Sequence, residues 1–534
     1  MTRSLYVLIL LALPAAAFAQ PGPFVQDTNS LLTQVAKPSL SALWGDFDGD
    51  GDLDLVVSNN TPGNDDDLYR NSGAGTFTRI DFATNEDPFA VTTSGAWADF
   101  DNDGRLDLST ASLMDGALFL NRGPTNFRYI RLPLDRFERT RDVLVADYNG
   151  DGLLDGVLSR GLAPGIGFRN VLIENIGNTG IVVDDTEIND NVFESTTGCW
   201  GDINADGFAD LHVNTNGGDP NELYINEAGT LVRAADPSLS VDYGRTQSCS
   251  WGDFDGDGDL DIVTTSFEAP TRLFRNEGVF TDATAGLDTN PVSSVGSAWG
   301  DVDNDGDLDL VIVRDDAINT LYLNDGAGQF TGIDFGPSDS ESPRVVLADD
   351  DGDGDLDIYV ARGGFTRSQR NLLYRNTTTG AANRLSTAQG TARGGSANWL
   401  EVDLQRTSGR NRFGVGALVT AYASIGGQQA RLLRSATIRS GLGAQSGYRL
   451  HFGLGDAATV DSLVVAWPAG VGVGGAGDQP TVLTGVAANQ ILTVTGDEDE
   501  AARAPVAAST AQPAAFAVEA VYPNPSAGAV TIAV

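Results

Sequence analysis

The stretch Trp44-Gly45-Asp46-Phe47-Asp48-Gly49-Asp50-Gly51-Asp52-Leu53-Asp54 sets carboxylates at relative positions 1, 3, 5, 7 and 9 of a short loop, with glycines between them. Apolar Leu55-Val56-Val57 follows at once. Hard cations such as Ca²⁺ take six to eight oxygens at about 2.3–2.6 Å, and a tight loop of alternating aspartates supplies them. Glycine admits positive φ, which lets the backbone wrap an ion. A single Asp-Gly cluster would more often mark a plain turn.

Six more copies begin at Asp99, Asp147, Asp202, Asp253, Asp301 and Asp349. Position 1 is aspartate throughout (Asp46, Asp99, Asp147, Asp202, Asp253, Asp301, Asp349). So are position 5 (Asp50, Asp103, Asp151, Asp206, Asp257, Asp305, Asp353) and position 9 (Asp54, Asp107, Asp155, Asp210, Asp261, Asp309, Asp357). Position 3 is Asp48, Asp101, Asn149, Asn204, Asp255, Asp303 and Asp351. Position 7 varies freely (Asp52, Arg105, Leu153, Phe208, Asp259, Asp307, Asp355), as it would if only its carbonyl reached the ion. Chance does not keep four side-chain oxygens in register seven times, so all these residues are candidate metal ligands, for about seven Ca²⁺. Asn149 and Asn204 leave the third and fourth loops less charged and therefore weaker.

The loop starts lie 53, 48, 55, 51, 48 and 48 residues apart, and a period near 50 is the mark of a repeat architecture. Each period reads alike. A short apolar strand precedes the loop, often ending in Trp-Gly or Trp-Ala (Trp44, Trp97, Trp200, Trp251, Trp299), and a β-rich run follows it. Next comes an apolar pair closed by asparagine, as at Asn71, Asn121, Asn226, Asn276, Asn324 and Asn376, then a Gly-rich turn and another strand. Four short strands in each period make a propeller blade. The fixed place of the tryptophans suits packing between blades rather than sugar stacking. An EF-hand is excluded, because position 12 is never Glu and β-formers flank the loops.

These motifs resemble the FG-GAP/VCBS repeats of integrin-type propellers over roughly residues 24 to 380. The resemblance implies an ion in the hairpin between the first and second strands, on one rim, and ligand contacts on the other. After Asn376 the period stops. Arg410-Asn411-Arg412-Phe413-Gly414-Val415-Gly416-Ala417, Leu450-His451-Phe452-Gly453-Leu454-Gly455 and Val464-Val465-Ala466-Trp467-Pro468 resemble an ASPIC/UnbV domain of the kind found in cartilage acidic protein. Tyr522-Pro523-Asn524-Pro525 is similar to the opening of a type IX secretion sorting domain, truncated relative to that family.

The expected fold is therefore all-β: a seven-bladed β-propeller with a second, smaller antiparallel β domain. We divide the chain into a signal peptide (1–19), the propeller (20–380), a connection (381–397), the second domain (398–495), an acidic Ala/Pro linker (496–516) and the start of a sorting domain (517–534). Arg3, the apolar run from Leu5 to Leu13 and Ala17-Phe18-Ala19 carry the signal reading. Export, with a bacterial cell-surface destination, follows as an expectation. No other run is apolar enough for a transmembrane helix. An oxidising compartment permits Cys199 and Cys249, the only cysteines, to pair, although strand parity leaves them either facing each other or both turned away. The expected fourth strand of the last blade is Phe24-Val25-Gln26-Asp27, which would close the ring.

The net charge of −40 argues against a nucleic-acid partner. Catalytic chemistry is sparse. There is no G-x-S-x-G motif and no Cys/His zinc spacing, and His212 and His451 are the only histidines. The leading expectation is non-catalytic binding or adhesion to an extracellular glycan or protein; a secreted polysaccharide-degrading lyase is the alternative. For the ligand we single out Arg136, Arg139 and Arg141, on the rim away from the loops, whose guanidinium forks suit carboxylate or sulfate. The competing account pairs these arginines with Asp135, Glu138 and Asp142 as ordinary surface bridges.

Overall fold

The computed structural model describes residues 24–377, 397–469 and 480–496, less a few short stretches within those ranges. The expected signal peptide, the connection up to residue 396 and everything past residue 496 lie outside the described residues. Within them the chain is almost entirely β-strand.

Every acidic loop joins the first two strands of one antiparallel unit. The inner strands end one residue before position 1: Ser39–Gly45, Thr92–Ala98, Thr140–Ala146, Val192–Gly201, Arg245–Gly252, Ser294–Gly300 and Arg344–Ala348. The second strands begin on the position-9 aspartate: Asp54–Asn59, Asp107–Ser112, Asp155–Ala163, Asp210–Asn216, Asp261–Phe267, Asp309–Arg314 and Asp357–Ala361. Each inner strand packs against the next, and Arg344–Ala348 packs against Ser39–Gly45, so the units close into a ring. This is the propeller arrangement. Its inner strands are buried almost throughout, which explains their small and apolar residues.

The ring closes with strands from both ends of the repeat region. Val25–Gln26 lies antiparallel on Leu372–Arg375, with Val25 opposite Arg375 and Gln26 opposite Tyr374. Asp27 N–H adds a bond to Leu373 O at 2.8 Å, and Phe24 is fully buried between the last two units. The edge that the last unit would otherwise expose is covered, as expected from the sequence.

The tryptophans interlock neighbouring units. A Cβ on Gly45 would stand 2.8 Å from the Trp97 ring, and one on Gly201 would stand 2.8 Å from Trp251. The glycine that ends one inner strand therefore makes room for the aromatic ring of the next. The indole N–H groups reach back across the same seam, Trp251 to Cys199 O at 3.2 Å and Trp299 to Ser250 O at 3.3 Å. Cys199 and Cys249 sit on adjacent inner strands and are joined by a disulfide, which resolves the parity ambiguity in favour of facing side chains.

The second domain has two sheets around its own core, which includes Leu400, Val419, Phe452, Leu463 and Trp467. Gln428–Ser435, Leu418–Ile425, Thr459–Ala466 and Thr481–Ala487 form an antiparallel sheet. The other sheet departs from the antiparallel expectation: Asn398–Arg406 pairs antiparallel with Leu450–Gly455 but parallel with Gln490–Gly496. The first and last strands of the domain run side by side in the same direction, which alternation along each strand does not reveal. A further short strand, Ala444–Gln445, leaves this domain and pairs parallel with Ala42 and Leu43 of the first inner strand.

The disulfide closes a loop of sequence separation 50, worth on the order of 4 kcal/mol in the chain-entropy model. Thiol titration of the denatured, unreduced protein should find no free thiol, and reduction should lower the melting temperature; two titratable thiols would contradict the bond.

Candidate metal centre

Two left-handed residues shape every loop. Position 4 has φ between 54° and 77° in all seven copies, whether glycine, alanine or asparagine, and position 6 is always glycine, with φ from 84° to 110°. These turns aim successive N–H groups inward. Asp46 accepts from the N–H groups of Gly49, Asp50 and Gly51 at 2.8, 3.1 and 2.9 Å, and the same pattern recurs at Asp349. The position-5 carboxylate accepts from the N–H of position 7, as Asp103 does from Arg105 and Asp305 from Asp307. Side chains of all types are tolerated at position 7 because its backbone makes the contact.

Position 9 ties the loop to the sheet. Asp54, Asp107, Asp210, Asp261 and Asp309 each accept from the N–H of position 2 through one oxygen. The other oxygen accepts from an asparagine N–H at or just past the end of the third strand: Asn71, Asn121, Asn226, Asn276 and Asn324. The side-chain amide of that asparagine then crosses to the preceding loop. Asn121 donates to Phe47 O, Asn175 to Phe100 O, Asn226 to Tyr148 O and Asn276 to Ile203 O. Asn324 donates to Phe254 O, Asn376 to Val302 O and Asn71 to Asp350 O, which completes the circle at 2.6–3.0 Å. Sequence reading noticed six of these asparagines without a role for them. It missed Asn175, whose Leu172-Ile173-Glu174 lead-in lacks the aromatic residue.

With their backbone partners assigned, several carboxylate oxygens still face one another. Asp99, Asp101 and Asp107 each offer an oxygen within 4.8 Å of the others, as do Asp253, Asp255 and Asp261, and Asp301, Asp303 and Asp309. Asp101 Oδ1, Asp147 Oδ1, Asp253 Oδ1, Asp303 Oδ1 and Asp351 Oδ1 are buried and accept no hydrogen bond. A buried acceptor without a donor is costly. Converging hard oxygens, left over after the backbone is satisfied, are the donor set that Ca²⁺ takes. The residues fit the ion.

Charge tells the same story. Burial, with the neighbouring carboxylates adding to it, pushes Asp54 and Asp107 up to about 8 and Asp155 up to about 9. Asp210 and Asp261 are raised to about 8 in the same way. Arginines relieve part of this. Arg70 Nε lies 2.5 Å from Asp48 Oδ2, Arg122 Nη2 lies 2.6 Å from Asp101 Oδ2, and Arg275 Nε lies 2.6 Å from Asp255 Oδ2. Arg375 pairs with Asp350 and with Asp357, the latter at 2.7 Å. The sixth loop lacks such an arginine from its own sheet, and burial beside Asp305 raises Asp303 well above the usual carboxylate range.

Of the ligand candidates, Arg136 and Arg139 lie outside the described residues. Arg141 is the second residue of the third inner strand, at the end remote from the loops, and pairs with Glu194 at 3.3 Å. Its sequence neighbour Asp142 instead accepts from the hydroxyls of Ser94 and Thr197. Neither histidine is poised as a base. His212 is fully buried, and burial pushes its imidazole down to about 4.

These carboxyls predict an inverted pH response. A group whose folded pKa is raised stabilises the fold below its unfolded value, about 3.9 for Asp, and loses that contribution as pH rises through the folded value. In excess chelator the melting temperature should therefore fall between about pH 5 and pH 8. Excess Ca²⁺ should remove that fall. A metal-free melting temperature that is flat or rising over this window would contradict the reading.

The FG-GAP-like repeat model matches residues 46–110, 99–158, 202–264, 253–312 and 301–360, together just over half of the chain. The ASPIC and UnbV model matches residues 407–502. No curated protein was found to match the chain. Among solved structures, an Agrocybe aegerita lectin described as recognising non-reducing terminal N-acetylglucosamine is similar at 16% identity and TM-score 0.40, over 65% of this chain and 94% of that one. BBS1N in complex with ARL6DN, soaked with lead, is similar at 11% identity and TM-score 0.45, over 68% of this chain and 100% of that one. By its repeats the chain belongs to the FG-GAP-like repeat family, and an ASPIC and UnbV domain follows them.

Proposed function

We propose that this is an exported, cell-surface, calcium-binding propeller protein that binds an extracellular glycan or protein without catalysing a reaction. The observation that carries the proposal is the set of repeated carboxylate cages, six of which keep a buried oxygen with no hydrogen-bond donor. Calcium acts structurally: each ion pins one hairpin, and the asparagine chain passes that order around the ring. The type IX route to the surface belongs to the same proposal and rests on the sequence alone.

The ligand face is the rim opposite the loops. The second domain lies on the loop rim, where Arg449 donates to Gly51 O and Arg431 to Asp257 O. The remote rim carries the starts of the inner strands, including Arg141 and Arg245. Arg245 lies over the Phe267 ring at 4.6 Å and donates to Asn216 Oδ1, so guanidinium and aromatic faces occur there together. An acidic glycan or a carboxylate-rich protein suits that chemistry.

Binding of the intact chain to a glycan array, with Ca²⁺ and with chelator, tests this. The expected ligands are uronate or sulfated polymers, bound in a salt-sensitive way and weakened about tenfold when Arg136, Arg139 and Arg141 are changed to alanine. Binding confined to neutral glycans, or untouched by the triple change, would rule the site out. Release of unsaturated oligosaccharides from acidic polymers would instead support the lyase alternative.

A further inference from the structure

The second domain reads every acidic loop. At loop one Arg449 Nη2 donates to Gly51 O at 3.1 Å. At loop two a Cβ on Gly104 would stand 2.3 Å from the Arg412 guanidinium. Asn411 N–H donates to Gly152 O of loop three at 2.8 Å, and Ala469 N–H donates to Gly207 O of loop four at 2.9 Å. Arg431 lies against Gly258 of loop five, and Ile425 against Gly306 of loop six. The indole of Trp399 lies on Gly354 of loop seven, 1.9 Å from where a Cβ would be. In each copy the residue touched is the position-6 glycine, whose left-handed φ is part of the loop's ion-binding shape. The second domain thus recognises the loop conformation itself.

It also enters the ring. Gln445 Oε1 accepts from Trp97 N–H at 2.8 Å, and the Ser446 hydroxyl accepts from Leu347 N–H at 3.1 Å, so inner-strand donors of the second and seventh units are satisfied by this segment. Gln445 is fully buried there. Loop six is the most closely held. Gly453 N–H donates to Asp301 Oδ2 at 3.0 Å, His451 Nε2 lies 2.7 Å from Asn304 Oδ1, and Gly455 N–H donates to Asn304 O at 2.8 Å. A position-1 carboxylate and the position-4 residue of one loop are therefore fixed by another domain.

We propose that calcium binding and docking of the second domain are one linked equilibrium, with loop six a composite site that the second domain completes. The proposal rests on the calcium reading above. An ion that holds the loops in this shape favours docking, and by reciprocity docking raises the affinity for the ion. Gly453, His451 and Arg431 are positioning residues here; the ligand oxygens stay with the loops.

The test uses the full chain and Ca²⁺ itself. Hydrogen exchange at residues 444–448 and the radius of gyration from X-ray scattering are measured before and after chelation, with metal removal confirmed by elemental analysis. Chelation should raise exchange in that segment at least tenfold and increase the radius. Calcium titrations then compare wild type with Gly453→Val, whose side chain would meet Asp301 Oδ2 and Asn304 Cα, each within 2.5 Å of the Cβ position. Arg431→Ala, at an exposed position, serves as a second variant that leaves both cores intact. Gly453→Val should weaken one class of ion about tenfold and Arg431→Ala a few-fold. If chelation lowers the melting temperature while exchange and radius stay unchanged, the linkage is overturned and the calcium reading survives. Isotherms unchanged in both variants would likewise overturn it. A chain that binds no calcium would defeat the underlying reading instead.

Discussion

The structure depends on neutralising carboxylates that the fold forces together. In the first, second, fifth and sixth hairpin turns three of them come within 4.8 Å of one another, several of them buried. Two unit charges about 4 Å apart repel by roughly 4 kcal/mol even at an effective dielectric of about 20. Backbone N–H groups satisfy many of the oxygens, and arginines approach the carboxylates of five of the seven loops, the sixth through Arg434 of the second domain, but buried acceptors remain. A divalent cation removes the repulsion and fills the missing coordination at once. Without it, protons must do the same work, which is why burial raises the carboxyl pKa values so far.

That local problem is coupled to the whole ring by one residue type. The position-9 aspartate binds the asparagine of its own third strand, and the amide of that asparagine binds the preceding loop. A disordered loop would therefore release a bond to the next unit as well as its own turn. The tryptophan and glycine seam acts at a second level of the same interface. Val25–Gln26, the Cys199–Cys249 bond and the inserted Ala444–Gln445 strand add closures from distant parts of the sequence. The second domain covers the rim that carries the acidic loops, and the proposed partner surface is the remote rim.

Much of this was legible because it repeats. Seven copies in register separate constant positions from variable ones, so Asp54 and its equivalents stand out while Arg105, Leu153 and Phe208 mark position 7 as one where the side chain is free to vary. The spacing near 50 residues gives the units, and the Trp-Gly pairs give their seam. What repeats without chemical variety was seen but not understood: Asn121 and its equivalents bind partners 70 residues or more away in sequence, as Asn324 does Phe254, and no local pattern carries that information. Non-repeating features were the least legible. A two-residue strand such as Ala444–Gln445 has no period. The parallel pairing of Asn398–Arg406 with Gln490–Gly496 leaves the alternation of each strand unchanged. Arg141 found Glu194 rather than adjacent Asp142 because alternation turns Asp142 inward, where Ser94 and Thr197 meet it.

The central claim is that the loops are cation sites on which the ring depends. The most direct measurement is the calcium content of the intact chain after chelation, reloading and removal of free ion, read by elemental analysis alongside protein concentration. The account predicts about seven Ca²⁺ per chain, one for each loop. A content at or near zero under saturating conditions would contradict it.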